Sequence, residues 1–319
     1  MRLIYAASPS IAVPPLLALC DLKGIELAGV LTNPDTAKGR SGNPAPTEVG
    51  EAAEKLGVPV LKPAKLDAGA REQVAALNPD LLVSFAYGRI FGPKFLALFP
   101  LGGINIHPSI LPKYRGPSPI QAAILNRDSE TGISIQTLSE KMDTGGILAL
   151  ERFQLTGRET AQSLGGIVSE KAALMLPEVL KKYASSAGKP GAIGAGTPQN
   201  HEEAVYCALI TKEDSFIDWK KSAPEIDAKI RAFDPWPLSR TIHNGRELII
   251  LKAAIHGAHS VPMQGQPGRV LGRDKQYGIL IQTGDGVLAV TELQYQAKKA
   301  LFWRDFLNGA RDFSGSLLG

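Results

Sequence analysis

Short apolar runs alternate with amphipathic stretches through the first half of the chain. Leu3 to Ala7, Leu27 to Thr32, Val58 to Leu61, Leu81 to Phe85 and Ile104 to His107 are apolar on both faces, as strands buried in a parallel sheet are. Between them, Val13 to Leu22, Thr47 to Leu56, Ala68 to Leu77 and Pro119 to Leu125 place apolar residues at helical spacing. The alternation predicts a doubly wound, mostly parallel α/β sheet of the Rossmann-like kind. Thr131 to Leu138 and Ile147 to Phe153 read as two further strands, joined by a turn over Lys141 to Gly146. A helix from Thr160 to Ala184 follows. Such sheets bind their ligands beyond the carboxyl ends of the strands. The first turn, Ala6-Ala7-Ser8-Pro9-Ser10, has no Gly-x-Gly-x-x-Gly pattern, which argues against a dinucleotide.

The pattern then changes. Gly188 to Pro198 holds six Gly or Pro residues in eleven and reads as a linker. Beyond it, Ser239 to His243, Leu248 to Ala254, Gly268 to Leu271, Gly278 to Gln282 and Val287 to Leu293 are short strand candidates separated by Asn-Gly, Gly and Asp-Gly turns. Five such strands close most simply into a small β-barrel of the OB-like type, an architecture that often binds oligonucleotides. The expected domains are residues 1–187, a linker over 188–204, and a C-terminal barrel over 205–319.

Composition narrows the classes. The 319 residues are 44% hydrophobic and 21% charged, as in a globular protein, and no apolar run approaches the roughly 18 residues a membrane span needs. Cys20 and Cys207 are far apart in apolar contexts and read as reduced core residues of a cytoplasmic protein. No His or Cys cluster has metal-ligand spacing, so no metal is expected; His256 and His259 read as a solvated turn. The net charge is +4, of which residues 206–319 carry +3. This permits a nucleic-acid partner without requiring one.

The chemistry concentrates between Gly103 and Gly146. Asn105 and His107 lie two apart on a strand, so their side chains share a face. An amide beside an imidazole can stabilise an oxygen that gains charge during attack on a carbonyl. Asp143, 27 residues after Gly116, supplies a carboxylate to hold the imidazole and help move protons. With no serine or cysteine nucleophile in the motif, the attacking group is an amine of the substrate.

The run Asn105-Ile106-His107-Pro108-Ser109-Ile110-Leu111-Pro112-Lys113-Tyr114-Arg115-Gly116, followed by Met142-Asp143-Thr144-Gly145, resembles the signature of the 10-formyltetrahydrofolate-dependent formyltransferases. Ile217-Asp218-Trp219, Arg231-Ala232-Phe233-Asp234-Pro235-Trp236-Pro237, Gly284-Asp285-Gly286 and Gln294 to Lys299 are similar to motifs of the branch that formylates initiator methionyl-tRNA. The resemblance implies catalytic roles for Asn105, His107 and Asp143; on electrostatic grounds, proximity of the opposite charge on Asp143 is expected to raise the pKa of His107 and keep it protonated. The resemblance implies reduced-folate binding by Ser109, Ile110, Leu111 and Pro112, and by backbone groups of the loop with Tyr87, Gly88 and Ile90. It implies tRNA contact by Lys38 and Arg40. The co-substrate would be 10-formyltetrahydrofolate, with no metal, and the partner initiator methionyl-tRNA. A monomer is expected, with no membrane association. Lys113 and Arg115 could meet a phosphate, the folate glutamate tail or solvent, and Phe233 and Trp236 are expected to hold the barrel together. The sequence departs from the family pattern at Ala6-Ala7-Ser8-Pro9, at Pro108, and in a loop poorer in lysine, Ala37 to Asn43. Two rival readings keep the same site: formylation of a nucleotide-linked amino sugar, and hydrolysis of 10-formyltetrahydrofolate.

Overall fold

The computed structural model describes residues 1–37, 43–185, 196–257 and 265–319, without the side chains of 183–185. Lys38, Arg40, His259 and residues 188–195 of the expected linker lie outside the described residues. Two compact units emerge. The first comprises residues 1–119, 130–154 and 165–208; the second comprises 120–129, 155–164 and 209–319.

The first unit is built on a seven-stranded sheet. Its strands are β1 (Arg2–Ala7), β2 (Glu26–Leu31), β5 (Val60–Leu61), β6 (Leu81–Phe85), β7 (Gly103–His107), β8 (Glu130–Thr137) and β9 (Ile147–Gln154). A two-residue ribbon, β3 (Thr36–Ala37) with β4 (Pro44–Ala45), stands apart from it. The sheet order is β5-β2-β1-β6-β7-β8-β9. The strands from β5 to β7 run parallel, while β8 runs antiparallel to both β7 and β9. The apolar runs form the strands because their residues are buried on both faces; Leu3 through Ala7 are fully buried. Helices α1 (Val13–Leu19), α2 (Glu48–Lys55), α3 (Ala68–Ala75), α4 (Pro93–Leu96) and, from residue 165 on, α6 (Ala161–Ser185) complete this unit. Thr47 Oγ1 accepts from the Gly50 N–H at 3.0 Å and Asp67 Oδ1 from Ala70 N–H at 3.1 Å, so α2 and α3 begin at side-chain caps.

The chain order moves outward from β1 to β2 and β5, then returns to β6 on the other side of β1. The loops after β1, β6 and β7 therefore leave from the carboxyl ends of adjacent strands, where ligands of such sheets gather. A stacked aromatic ladder fixes the loop after β6. Tyr87, Phe91, Phe95 and Phe99 follow one another with ring centroids 5.4, 5.4 and 5.8 Å apart. All four are buried, and each contributes about 1.5–3 kcal/mol by leaving water.

The second unit holds α5 (Pro119–Leu125) from residue 120 on, α7 (Ala223–Ala232) and α8 (Trp303–Gly309). Its strands are β10 (Ser239–His243), β11 (Arg246–His256), β12 (Val270–Asp274), β13 (Gly278–Gln282), β14 (Val287–Tyr295) and β15 (Leu301–Phe302). They pair antiparallel in the order β10-β11-β14-β13-β12, with β15 on β14. Residues 315–319 run along the start of β12, where Val270 N–H donates to Ser316 O at 2.9 Å. Gly319 N–H then reaches Ile242 O of β10 at 3.1 Å. One segment thus joins both edges of the sheet, as a closed barrel requires. The core collects Trp219, Ile230, Leu248, Ile279, Val290 and Phe306, and Trp219 Nε1–H is satisfied by Thr241 Oγ1 at 2.9 Å.

Three expectations change. Cys20 is exposed, because it follows the last turn of α1, whose buried face is Pro15, Leu16 and Leu19. Cys207 is half-buried, and neither thiol is bonded to the other. His256 belongs to β11 rather than to a turn, its ring edge-on to Tyr277. Trp236 is half exposed in the turn after α7, whereas Phe233 at the helix end is buried as expected.

Helix α7 starts on a reciprocal cap. Ser222 Oγ accepts from Glu225 N–H, and the Glu225 carboxylate accepts from Ser222 N–H at 3.0 Å and from the Ser222 hydroxyl at 2.7 Å. These bonds hold the Glu225 carboxyl down at about 2. Substituting Ser222→Ala leaves a helix N–H without its partner and is expected to lower stability by about 1 kcal/mol. A lower urea midpoint, with the far-ultraviolet dichroism unchanged, is the result to look for.

Candidate active site

On β7, Ile104 and Ile106 point into the apolar layer, so Asn105 and His107 share the opposite face. Their cross-strand neighbours on β8 are Gln136 and Ser134. Four polar side chains therefore stand together on one face of two adjacent strands. His107, Ser134 and Gln136 are buried, while Asn105 is half-buried.

The His107 ring is held at one nitrogen and faces a carboxylate with the other. Nε2 lies 2.8 Å from Tyr114 O, and a carbonyl can only accept, so Nε2 carries a proton. Nδ1 lies 3.5 Å from Asp143 Oδ1. Burial drives the imidazole pKa below its ordinary value; the Asp143 charge and the Tyr114 carbonyl push the other way without prevailing. The expectation of a His107 raised by Asp143 is thus corrected: the direction is downward, because desolvation outweighs the ion pair. Near neutrality the ring is neutral, with its Nδ1 lone pair facing a carboxylate.

Asp143 comes from the turn between β8 and β9. Its backbone is left-handed at φ +55°, costing roughly 1–2 kcal/mol for a residue with a side chain. Two donors hold the carboxylate in place. Gly116 N–H reaches Oδ2 at 2.8 Å and Gln136 Nε2 reaches Oδ1 at 2.9 Å. Glycines allow the approach. A Cβ on Gly145 would fall 1.8 Å from Thr137 O, and one on Gly116 (φ +119°) would fall 2.3 Å from Cys207 O. Asn105 differs from its neighbours. Its amide makes no side-chain hydrogen bond among the described residues, so it has donors to offer a ligand.

The expected folate residues divide by exposure. Ser109 is fully buried: its Oγ donates to Lys113 O at 2.6 Å, and its N–H donates to His107 O at 2.9 Å. Ser134 Oγ donates to Ser109 O at 2.7 Å and accepts from Leu111 N–H at 3.1 Å. These bonds fix the loop 109–112, with Leu111 buried and Ile110 and Pro112 partly exposed. Tyr87 sends its ring into the aromatic ladder and its carbonyl accepts from Asn33 Nδ2 at 3.0 Å, while Gly88 and Ile90 are exposed. Arg115 is only 1% exposed, which removes it from any phosphate or glutamate tail. Its Nε and Nη2 donate to Gln199 Oε1 at 3.1 and 2.7 Å, and its Nη2 to His201 Nδ1 at 2.9 Å.

An amide–imidazole–carboxylate group whose imidazole hydrogen-bonds no serine hydroxyl or cysteine thiol among the described residues is suited to acyl transfer to an external amine. The comparisons agree. The formyl transferase family model matches residues 8–180, and that of the formyl transferase C-terminal domain matches residues 209–311. The methionyl-tRNA formyltransferase of Treponema denticola is 45% identical over 323 residues, covering 98% of each chain. The chain belongs to the methionyl-tRNA formyltransferase family. It is an enzyme of formyl transfer. Two solved structures share the fold. The N-formyltransferase from Helicobacter canadensis, in complex with folinic acid and dTDP-3-aminofucose, superposes with a TM-score of 0.64 at 20% identity, over 92% of this chain and 99% of that one. HypX from Aquifex aeolicus, in complex with tetrahydrofolic acid, superposes with a TM-score of 0.61 at 19% identity, over 96% of this chain and 46% of that one. Among the described residues, no helix is long and apolar enough to cross a membrane.

Sequence reasoning missed Gln136, Ser134, Gln199 and the buried role of Arg115. The alternation Ile133-Ser134-Ile135-Gln136 was visible, but alternation normally marks a face turned to water. The only available signal was that β8 had to pair with the strand carrying Asn105 and His107.

The depressed His107 pKa gives stability a sign with pH. Below about 6.5 the unfolded imidazole takes up protons that the buried one resists, so protons favour unfolding. His243 of the second unit is depressed for the same reason and adds to the slope. Stability is therefore expected to hold above pH 6.5 and fall as the pH drops through that value. In thermal melts between pH 5 and 7, His107→Gln should show a shallower acid slope than the unsubstituted protein.

Proposed function

We propose that this chain moves the formyl group of 10-formyltetrahydrofolate to the α-amine of methionyl-initiator tRNA, acting as a cytoplasmic monomer. The observation that carries the reading is the uncommitted Asn105 amide beside the buried His107–Asp143 pair, in a chain that matches methionyl-tRNA formyltransferases along its whole length. Folate supplies an activated formyl carbon on N10. Asn105 donates an N–H to the formyl oxygen as that oxygen gains negative charge. His107 is neutral before attack, so its Nδ1 lone pair and the Asp143 carboxylate form one basic site 3.5 Å across. That site takes the proton the amine loses when its nitrogen bonds to the formyl carbon. The resulting imidazolium stands between Tyr114 O and Asp143, its charge arising together with that of the formyl oxygen. The same proton passes to N10 as the bond from N10 to carbon breaks, leaving tetrahydrofolate and formylated methionyl-tRNA. Ser109, Ile110, Leu111 and Pro112, with backbone groups around Tyr87, Gly88 and Ile90, seat the folate; Lys38 and Arg40 meet the tRNA.

Two substitutions separate the roles. Asn105→Ala removes the oxyanion donor and is expected to lower kcat about 100- to 1,000-fold, the loss typical of one such group. Asp143→Asn keeps the shape but removes the carboxylate, and transfer should be largely lost. Radiolabelled formyl transfer from 10-formyltetrahydrofolate to methionyl-initiator tRNA measures both. Formylation of a nucleotide-linked amino sugar, with none of tRNA, would leave the site standing and overturn the acceptor. Full activity of Asp143→Asn would overturn the mechanism.

A further inference from the structure

Behind Asp143 lies a chain of buried polar side chains that the catalytic steps do not use. Arg115, Gln136 and Gln199 are 1, 2 and 7% exposed. Arg115 Nε and Nη2 grip Gln199 Oε1. The two N–H bonds of Gln199 Nε2 are shared among three acceptors, Gln136 Oε1 at 3.1 Å, Asp143 O at 3.0 Å and Gly145 O at 2.7 Å. Gln136 Nε2 then donates to Asp143 Oδ1, the oxygen that faces His107 Nδ1.

The chemistry of the two ends fixes the direction of everything between. A guanidinium has donors only, and an ionised carboxylate has acceptors only. Each glutamine amide between them must accept on the Arg115 side and donate on the Asp143 side. Turning either amide over would set donor against donor and acceptor against acceptor in a buried site, where unpaired polar groups are strongly disfavoured. Bonds aligned in one direction also polarise one another. The chain therefore aims a row of donors, backed by a positive charge, at the one carboxylate that touches His107.

Gln199 itself is anchored by main-chain pairing. Thr197 exchanges both hydrogen bonds with Ile147 at 2.9 Å, at the start of β9. Farther on, Arg115 N–H donates to Val205 O at 2.9 Å and Cys207 N–H to Arg115 O at 2.8 Å. Residues 197–207 are thus a strap lying across both the Asp143 turn and the loop after β7.

We propose that Gln136 and Gln199, backed by Arg115, are positioning residues that orient Asp143 for the proton transfer at His107. The inference rests on the formyl-transfer reading of the site. Asp143 sits in a left-handed turn, and its carboxylate direction is set by the donors that reach it from Gly116 and Gln136. A network kept only for stability would lower the melting temperature and leave the chemistry of Asp143 alone.

A double-mutant cycle distinguishes the two. Gln199→Met keeps the length of the side chain and removes both its donors and its acceptor. Expected is a fall in kcat of about thirtyfold, with KM for folate and tRNA within about threefold. In an Asp143→Asn background the same substitution should cost less than about threefold, because there is no carboxylate left to orient. Losses that multiply across the two backgrounds would overturn the proposal, as would a lower melting temperature with kcat unchanged. Proton NMR titration of His107 gives a second readout that needs no substrate. Its midpoint should fall in Gln199→Met, as in Asp143→Asn, and an unmoved midpoint would also overturn the proposal. If the unsubstituted enzyme formylates nothing, the functional reading fails and the titration still decides the relay. If Gln199→Met does not fold, Arg115→Lys serves in the same cycle, since it keeps the charge and loses the two-pronged grip on Gln199.

Discussion

A carboxylate fixed beside a buried imidazole by donors from separate segments is the constraint on which the rest of this site depends. Asp143 occupies a left-handed turn, with Gly116 N–H on one oxygen and Gln136 on the other. Those contacts require Gly145 to lie against Thr137 O and Gly116 against Cys207 O, at distances no side chain allows. The strain of one residue is offset by bonds from three different segments of the first unit. In return, a negative charge stands 3.5 Å from an imidazole that burial keeps neutral. The pair is poised to receive a proton rather than to give one, which suits attack by an amine.

Much of the architecture was legible in the sequence, and for a physical reason. Strands of a parallel sheet buried on both faces must be apolar throughout, so Leu3 to Ala7 and Leu81 to Phe85 could hardly be read otherwise. The second unit was less open to reading. Helix α7 begins on a Ser222–Glu225 cap that a scan for strands passes over, and the closing role of residues 315–319 depends on a partner far away in the chain. Cys20 was misjudged because an apolar run, Leu16 to Leu19, conceals which side of a short helix faces water.

The site shows the same division. Asn105 and His107 were visible because a two-residue spacing on a strand fixes a shared face. Gln136 and Gln199 were not, because a polar residue in a strand or a linker is ordinary until the fold buries it. Arg115 was visible as a charge and misplaced as one: a cation beside a candidate ligand loop suggests an anion, but this one is turned inward onto Gln199, Tyr206 and His201. Hydrophobic pattern locates the layers of a fold. It says little about which polar groups will be deprived of water, and those groups decide the chemistry here.

The strap over residues 197–207 also sets a clock on the enzyme's own synthesis. The sheet strands that carry Asn105 and His107 and flank the Asp143 turn are complete by Gln154, and α6 by residue 185. Yet Gln199, Val205 and Cys207 make their bonds to the catalytic loops from farther along the chain. Domains fold largely as units while the chain emerges at about 5–20 residues per second. A nascent chain with all seven strands of the sheet outside the ribosome still lacks the segment that bonds to its acidic turn. The hydrogen bonds around that turn are therefore completed later than the sheet that houses it.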